Sequence, residues 1–363
     1  MAIVEFKNIS KDYGDGKLAV DDLNLQINEG DFVTLIGPSG CGKTTTLKFI
    51  NGLIEPSAGE IYVEGKELSK WNKIELRRKI GYVIQQVGLF PHLSIQDNIT
   101  YVLKIKGIDK TNRKKRAEEL IELVGLNKDH LSKYPRELSG GQQQRVGVAR
   151  ALAADPPIIL MDEPFGAIDE ITRKKLQDEL IMIHKKLNKT IVFVTHDIHE
   201  AMKLGNRIVL LKEGKLITAG SREDIFFNQE NNYLNKFFGI KSFTSYVGVT
   251  GVKGAINKVY PVIKINEDKD ILKQINYKEI EYIPVIDEKN KYIGVYDMKS
   301  QPVFDENNII PMESINEDKT IMEALEMQFR TGNTMLPVTN NKNKYMGVFK
   351  ANEAYNSMIN KAN

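Results

Sequence analysis

The chain has 363 residues, 51 Lys and Arg against 48 Asp and Glu, a net charge of +3, 41% hydrophobic residues and one Cys. At roughly 150 residues per domain this length implies two to three domains, and the balanced charge argues against a nucleic-acid protein defined by bulk charge. One Cys excludes an internal disulfide framework and a Cys-rich zinc site, and no apolar run is long enough to span a bilayer.

The sequence starts MAIVEFKNIS, with an acid at position 5 and no basic segment before an apolar one, so no secretory signal is expected. The expectation is a soluble cytosolic chain that meets a membrane only through a partner. Residues 3–6 and 20–27 alternate apolar and polar, as strands of a half-exposed antiparallel sheet do. Residues 32–36 (FVTLI) are a continuous apolar run before Gly37, which suits a buried parallel strand. A helix is predicted from Lys43 to Ile50 and a strand over 80–85. Two helices follow, Ile95 to about Lys106 and Asn112 to about Val124, the second charged on one face. Its basic run Asn112–Arg116 reads as a solvated face. Another helix is predicted from Gln142 to Leu152. Apolar runs at 158–162 and 191–195, separated by a helix over 170–187, complete a strand–helix alternation. That alternation argues for an α/β core with parallel strands.

Gly37-Pro38-Ser39-Gly40-Cys41-Gly42-Lys43-Thr44 satisfies G-x-x-x-x-G-K-S/T between a predicted strand and a predicted helix, and Thr45 follows it. Such glycines let successive backbone N–H groups converge on an anion, and the helix start adds partial positive charge. Lys43 reaches the β- and γ-phosphates of a nucleotide and Thr44 offers its hydroxyl to Mg²⁺. The run Ile158–Met161 ends in Asp162-Glu163. Carboxylates at the end of a buried strand are placed where open α/β sheets bind ligands. There Asp162 can hold Mg²⁺ and Glu163 can polarise an attacking water. Cys41 is not expected to be catalytic, because phosphoryl transfer needs no thiol.

Between these motifs stands Leu138-Ser139-Gly140-Gly141-Gln142, which resembles the signature of ATP-binding cassette (ABC) ATPases. Gln85 resembles the glutamine loop, Asp169 the D-loop, His196 the switch histidine and Tyr13 the aromatic that stacks on adenine. The resemblance covers residues 1 to about 238. It implies a P-loop ATPase with a RecA-like core, an antiparallel β-subdomain and a helical subdomain over about 87–137. It also implies ATP and Mg²⁺ as cofactors, with Gln85 answering to Mg²⁺ and the γ-phosphate and His196 bonded to that phosphate. Two copies pair head to tail, each ATP lying between the phosphate loop of one and Ser139–Gln142 of the other. By resemblance to importer cassettes, Gly88–His92 belongs to a groove that receives a permease helix; plugging the local core is the alternative use of Leu89 and Phe90.

From residue 240 the composition changes, and Arg330 is the one Arg that follows. INEDK recurs at 265–269 and 315–319, an offset of 50, and IPVIDEKNKYIGVY (283–296) matches LPVTNNKNKYMGVF (336–349), an offset of 53. The first copy therefore reads as three residues shorter, with a shorter helix. Two units of this size are expected to share a core. They resemble tandem cystathionine-β-synthase (CBS) modules, an α+β pair at 251–303 and 304–363 after a linker at 239–250. A cassette carrying such a tail resembles the ATPases of quaternary-amine osmoprotectant importers for glycine betaine, carnitine or choline. That resemblance implies permease subunits, an extracytoplasmic solute-binding protein, a peripheral position on the cytoplasmic face of the membrane, and regulation by ionic strength or cyclic di-AMP. An importer for a sugar or an amino acid, or a soluble non-transport ATPase, are the rival readings. Asp297 and Ser300 in one copy and Lys350 and Glu353 in the other depart from the usual ribose-binding pattern of CBS modules. Tyr260, Tyr282 and Tyr345 are candidate contacts for a dinucleotide, or core aromatics.

Overall fold

The computed structural model describes residues 1–14, 16–85, 88–166, 168–227, 237, 246–265, 280–298 and 305–354. Contacts divide the chain into Met1–Ile225 and Phe226–Asn363. The domain boundary expected near 238 lies outside the described residues.

In the first unit the strands are β1 (Ala2–Asp12), β2 (Leu18–Asn28), β3 (Phe32–Ile36), β4 (Ala58–Val63), β5 (Lys66–Glu67), β6 (Ile80–Val83), β7 (Ile158–Asp162), β8 (Thr190–Val194), β9 (Arg207–Lys212) and β10 (Lys215–Gly220). Its helices are α1 (Lys43–Ile50), α2 (Lys73–Lys79), α3 (Ile95–Ile105), α4 (Lys110–Leu123), α5 (Gly140–Leu152), α6 (Glu170–Leu187) and α7 (Ile198–Leu204), and α8 (Arg222–Phe227) spans its end. One sheet runs β2-β1-β4-β5 and is antiparallel. The other runs β10-β9-β3-β8-β7-β6, and only β10 joins it antiparallel.

The apolar runs explain the layering. Every residue of β3, β7 and β8 is buried, and alternate side chains leave opposite faces. Val33, Leu35, Ile158, Leu160, Val192 and Val194 pack with the antiparallel sheet and α1. Phe32, Ile159, Met161, Ile191 and Phe193 pack instead with residues of α3–α6. Burial stabilises by about 1.5–3 kcal/mol per side chain of this size, so a one-residue slip of any of these strands would exchange both cores at once.

Several expected boundaries move. The strand predicted to reach residue 85 stops at Val83, and Gln85 lies beyond it. The helix predicted from Gln142 starts at Gly140, because Ser139 caps it. The basic run of α4 is not wholly solvated: Arg116 donates to Leu152 O and Ala153 O, both at 3.3 Å, closing the C-terminal end of α5. Leu89 is half-buried against the helical core. Phe90 is half-buried too, its ring 4.6 Å from that of Tyr101. Buried Asn98 fixes that turn, donating to the carbonyls of Phe90, Leu93 and Ser94 and accepting from Phe90 N–H.

The second unit contains the repeat. In the first copy β11 (Ile263–Lys264) runs parallel to β12 (Tyr282–Ile286), which forms a hairpin with β13 (Tyr292–Asp297), and β14 (Ile309–Ile310) joins at the edge. The second copy repeats this with β15 (Ile315–Asn316), β16 (Leu336–Thr339) and β17 (Tyr345–Phe349). Ile263 pairs with Val285 as Ile315 pairs with Val338. The offsets are thus 52 and 53, so the copies differ by one residue here, not three. The INEDK landmark is two residues out of structural register: Ile265 N–H bonds Ile286 O where Glu317 N–H bonds Thr339 O. The helix Ile321–Thr331 follows β15 under a Thr320–Glu323 capping box. The helix expected to be shorter in the first copy, and Ser300, lie outside the described residues.

The two copies meet about a local two-fold. Lys291 and Lys344 form a bridge, Tyr292 N–H donates to Asn343 O at 3.0 Å, and Tyr345 N–H donates to Asn290 O at 2.9 Å. Tyr246, Val247 and Val252 pack in the core of the second copy, with Ile315, Ile321 and Phe349.

Candidate nucleotide site

The order β3-β8-β7-β6 places four carboxyl ends side by side. They carry the loop Gly37–Thr44, His196, Asp162-Glu163 and Gln85. The crevice beyond such ends is where open α/β sheets bind ligands.

The loop after β3 is shaped by glycine. Gly37 has φ 148°, and a Cβ there would stand 2.1 Å from Leu211 O. Gly42 has φ 100°, and a Cβ would stand 2.5 Å from Ala19 O. Gly42 is also the N-cap of α1, so no side chain caps the first turn of that helix and its N–H groups are left for an anion. Pro38, Ser39 and Gly40 are exposed, while Thr45 is half-buried. Lys43 is buried, its Nζ donating to Gly37 O at 2.7 Å and Pro38 O at 2.9 Å. Cys41 is 3% exposed with Sγ 3.7 Å from that Nζ, and burial pushes its thiol pKa up against the Lys43 charge.

Thr44 Oγ1 donates to Asp162 Oδ1 at 2.9 Å, joining the loop to β7 across β8. Burial raises the Asp162 pKa above the ordinary carboxylate range, and the Thr44 bond only partly opposes this. A buried carboxylate beside a hydroxyl fits Mg²⁺, which takes one or two carboxylates together with substrate phosphates and water. Glu163 has φ 44°, left-handed backbone for a non-glycine residue, a conformation that costs of order 1–3 kcal/mol and gathers at functional sites. It is held by its N–H bond to Val194 O at 3.0 Å. The Glu163 carboxylate accepts from Gln85 Nε2 at 3.2 Å and lies 3.4 Å from His196 Nδ1. Gln85, Asp162, Glu163, His196, Lys43 and Thr44 thus form one linked set.

The remaining candidates lie elsewhere. Tyr13 is exposed just past β1, with Lys11 Nζ 5.1 Å from its ring centre. Ser139 and Gly140 are exposed and Gly141 half-buried. Ser139 Oγ accepts from Gln142 N–H while Gln142 Oε1 accepts from Ser139 N–H at 2.9 Å, so both side chains are used within the cap. Asp169 caps α6, accepting from Thr172 N–H at 3.0 Å, and those hydrogen bonds lower its pKa.

The ABC transporter family matches residues 20–166. The glycine betaine/carnitine/choline transport ATP-binding protein OpuCA of Bacillus subtilis is 46% identical over 301 residues, 82% of this chain and 79% of that protein. The chain belongs to the ABC transporter family of ATP-binding subunits. The carnitine transport ATP-binding protein OpuCA of Listeria monocytogenes is 41% identical across 95% of this cassette chain and 89% of its own length. Among solved structures, the dimeric post-hydrolysis ATP-binding cassette MJ0796 with ADP and Pi matches 60% of this chain and 98% of its own, at a TM-score of 0.55 and 40% identity.

In the tail, Tyr260, Tyr282 and Tyr345 come together with Tyr292 around Val295 and Val348. Tyr260 donates from its hydroxyl to Tyr282 O at 3.1 Å, and burial pushes its pKa to about 12. The Tyr345 hydroxyl is buried with no hydrogen-bond partner among the described residues, and burial raises its pKa further. Lys350 Nζ stacks 4.5 Å from the Tyr260 ring centre and pairs with Glu353, which also accepts from Asn257. Lys350 and Glu353, which depart from the ribose pattern in the second copy, are therefore engaged within the protein.

Sequence reasoning missed the partners of the site, buried Thr195, Glu200 and Gln177 and half-exposed Arg173. Asp197 and Glu200 have the spacing of a helix capping pair, which hid the inward turn of Glu200.

Proposed function

We propose that this chain is the ATP-hydrolysing subunit of a binding-protein-dependent importer for quaternary-amine osmoprotectants such as glycine betaine, carnitine and choline. The observation that carries the chemistry is the convergence of Lys43, Thr44, Asp162, Glu163, Gln85 and His196 at neighbouring strand ends. ATP enters the glycine loop, and Lys43 exchanges the Gly37 and Pro38 carbonyls for β- and γ-phosphate oxygens. Thr44 and Asp162 would hold Mg²⁺, which when bound would neutralise phosphate charge. Glu163 orients and polarises the attacking water, His196 bonds the γ-phosphate, and Gln85 reports occupancy to the helical lobe. Tyr13 stacks on adenine.

Ser139 and Gly140 sit exposed and Gly141 half-buried at the start of α5, ready to complete the site of a second copy paired head to tail. The dimeric description of the similar cassette MJ0796 supports that pairing. Among the described residues no helix is long and apolar enough to cross a membrane, and we place the subunit on the cytoplasmic face, held by permease subunits that receive solute from an extracytoplasmic binding protein. The Gly88–His92 turn, fixed by Asn98, is the surface offered to the permease. The solute class follows the relatives' names. We assign the repeat to a tandem CBS pair, with Tyr260, Tyr282 and Tyr345 as its dinucleotide contacts, gating transport by ionic strength or cyclic di-AMP. The two-fold pairing at Lys291 and Lys344 supports that assignment.

The test is ATP hydrolysis by the chain with its permease and binding protein in vesicles. Stimulation by a quaternary amine is expected. Stimulation by a sugar or an amino acid alone would overturn the solute class. Removing residues 241–363 should keep hydrolysis and abolish its response to salt and to cyclic di-AMP. An unchanged response would remove regulation from the tail.

A further inference from the structure

A buried polar cluster adjoins the site and takes no part in the chemistry above. Glu200 on α7 is 7% exposed, with Thr195 at 2% and Gln177 at 5%. Glu200 Oε2 accepts from Thr195 Oγ1 at 2.6 Å, and Oε1 accepts from Gln177 Nε2 at 3.3 Å. Arg173 Nε lies 3.9 Å from Oε1, while its Nη2 donates to Ile168 O at 2.9 Å. The Thr195 hydroxyl also accepts from Asp197 N–H at 3.0 Å.

The hydrogen bonds through Thr195, and the 3.9 Å ion contact of Arg173, whose Nε makes no hydrogen bond among the described residues, reach the two sides of Glu163. Thr195 and Asp197 flank His196, so one hydroxyl anchored to Glu200 closes the turn that presents the imidazole. Ile168 precedes Asp169 in the segment that leaves Glu163 and enters α6, and Arg173 fixes its carbonyl. The placement of Glu200 also departs from the local rule. A Glu three residues after an Asp N-cap ordinarily reaches back to the cap in solvent. Here the cap is made by Asp197 alone, which accepts from His199 and Glu200 N–H, and the Glu200 carboxylate turns inward. Burying a carboxylate is costly, and apolar replacements often match buried charges in stability, so stability alone does not account for it.

We infer that Glu200 is a positioning residue for hydrolysis, setting the His196 turn through Thr195 and the segment after Glu163 through Arg173. The inference rests on the roles given above to Glu163 and His196. Small displacements of reacting groups cost turnover much more than binding, and nucleotide binding here belongs to the Lys43 loop.

The experiment measures ATP hydrolysis and ATP affinity in the full-length chain with its permease. Glu200→Ala and Thr195→Val should each lower kcat about tenfold with KM and Kd for ATP within about twofold. The double variant should be no worse than either single one, because both remove the same tether. Thr195→Ser, which keeps the hydroxyl, should restore kcat to within about twofold of the parent. Arg173→Met, at a half-exposed position, should lower kcat about threefold. Should Glu200→Ala not fold, Thr195→Val against Thr195→Ser and Arg173→Met carry the test. Unchanged kcat, affinity falling in step with kcat, additive losses or no rescue by Ser would overturn the inference. Glu163→Gln separates the two levels. Normal hydrolysis in that variant defeats the site reading itself. An inactive Glu163→Gln beside active Glu200 and Thr195 variants defeats only this inference.

Discussion

In the first unit, polar side chains at strand ends reach across to other elements: Thr44 to Asp162, Gln85 and His196 to Glu163, Thr195 to Glu200. In the second unit the corresponding polar groups fold back on their own turns. Asp287 Oδ1 accepts from the N–H groups of Lys289 and Lys291, and Asn340 Oδ1 does the same for Lys342 and Lys344. These turns are closed by their own side chains, and the copies join through backbone bonds, tyrosines and the Asn343 Nδ2 bond to Tyr292 O at 3.2 Å. The difference matches the roles proposed above, a first unit that holds reacting atoms and a second that binds or transmits.

That contrast is most exposed to failure at Lys43. Lys43→Ala should weaken ATP binding by about a hundredfold, since hydrogen bonds to charged groups are worth about 1.5–3 kcal/mol each. Titration with a non-hydrolysable analogue measures it, and undiminished affinity would move phosphate binding away from the loop.

Asp162 gives a smaller effect with a defined pH sign. Its folded pKa is raised by burial, so its contribution to stability is present below the unfolded value of about 4 and is lost as pH rises through the raised folded value. Burial of this carboxyl group therefore works against the ligand-free fold at neutral pH, while in the proposed function the group would serve Mg²⁺. Asp162→Asn should raise the ligand-free thermal midpoint by about 2–4 °C at pH 7, with little change at pH 4, and should abolish the Mg²⁺ dependence of nucleotide binding. A lower midpoint at pH 7 would contradict the burial argument.

The smallest effect lies in the tail. Tyr345→Phe removes a buried hydroxyl without a partner among the described residues, so thermal unfolding should show the second unit stabilised by about 1 kcal/mol. ATP hydrolysis should be unchanged, and cyclic di-AMP binding should weaken. A fall in hydrolysis would blur the division between the units.

Much of this was legible in the sequence, because the fold-forming signals are local. The runs of β3, β7 and β8 are apolar without interruption, and the phosphate loop is a contiguous motif whose glycines the backbone requires. β4, β5, β9, β10, α2 and α7 carried no such contrast and emerge only when the sheets close. The repeat showed that two copies exist but misplaced their register, since INEDK matches in letters while the strand pairing follows Ile263 and Ile315. The tether from Glu200 could not be read because it depends on α7 packing against α6, which no spacing in the chain expresses.

The central claim is that Glu163, held left-handed between Gln85 and His196, activates the water that cleaves ATP. Its most direct test is single-turnover hydrolysis by Glu163→Gln in the full-length chain with its permease, with ATP binding measured in parallel. The account predicts ATP affinity within about twofold of the parent and hydrolysis reduced about a hundredfold or more, leaving ATP trapped in a closed pair of subunits. Hydrolysis at the parent rate would contradict it.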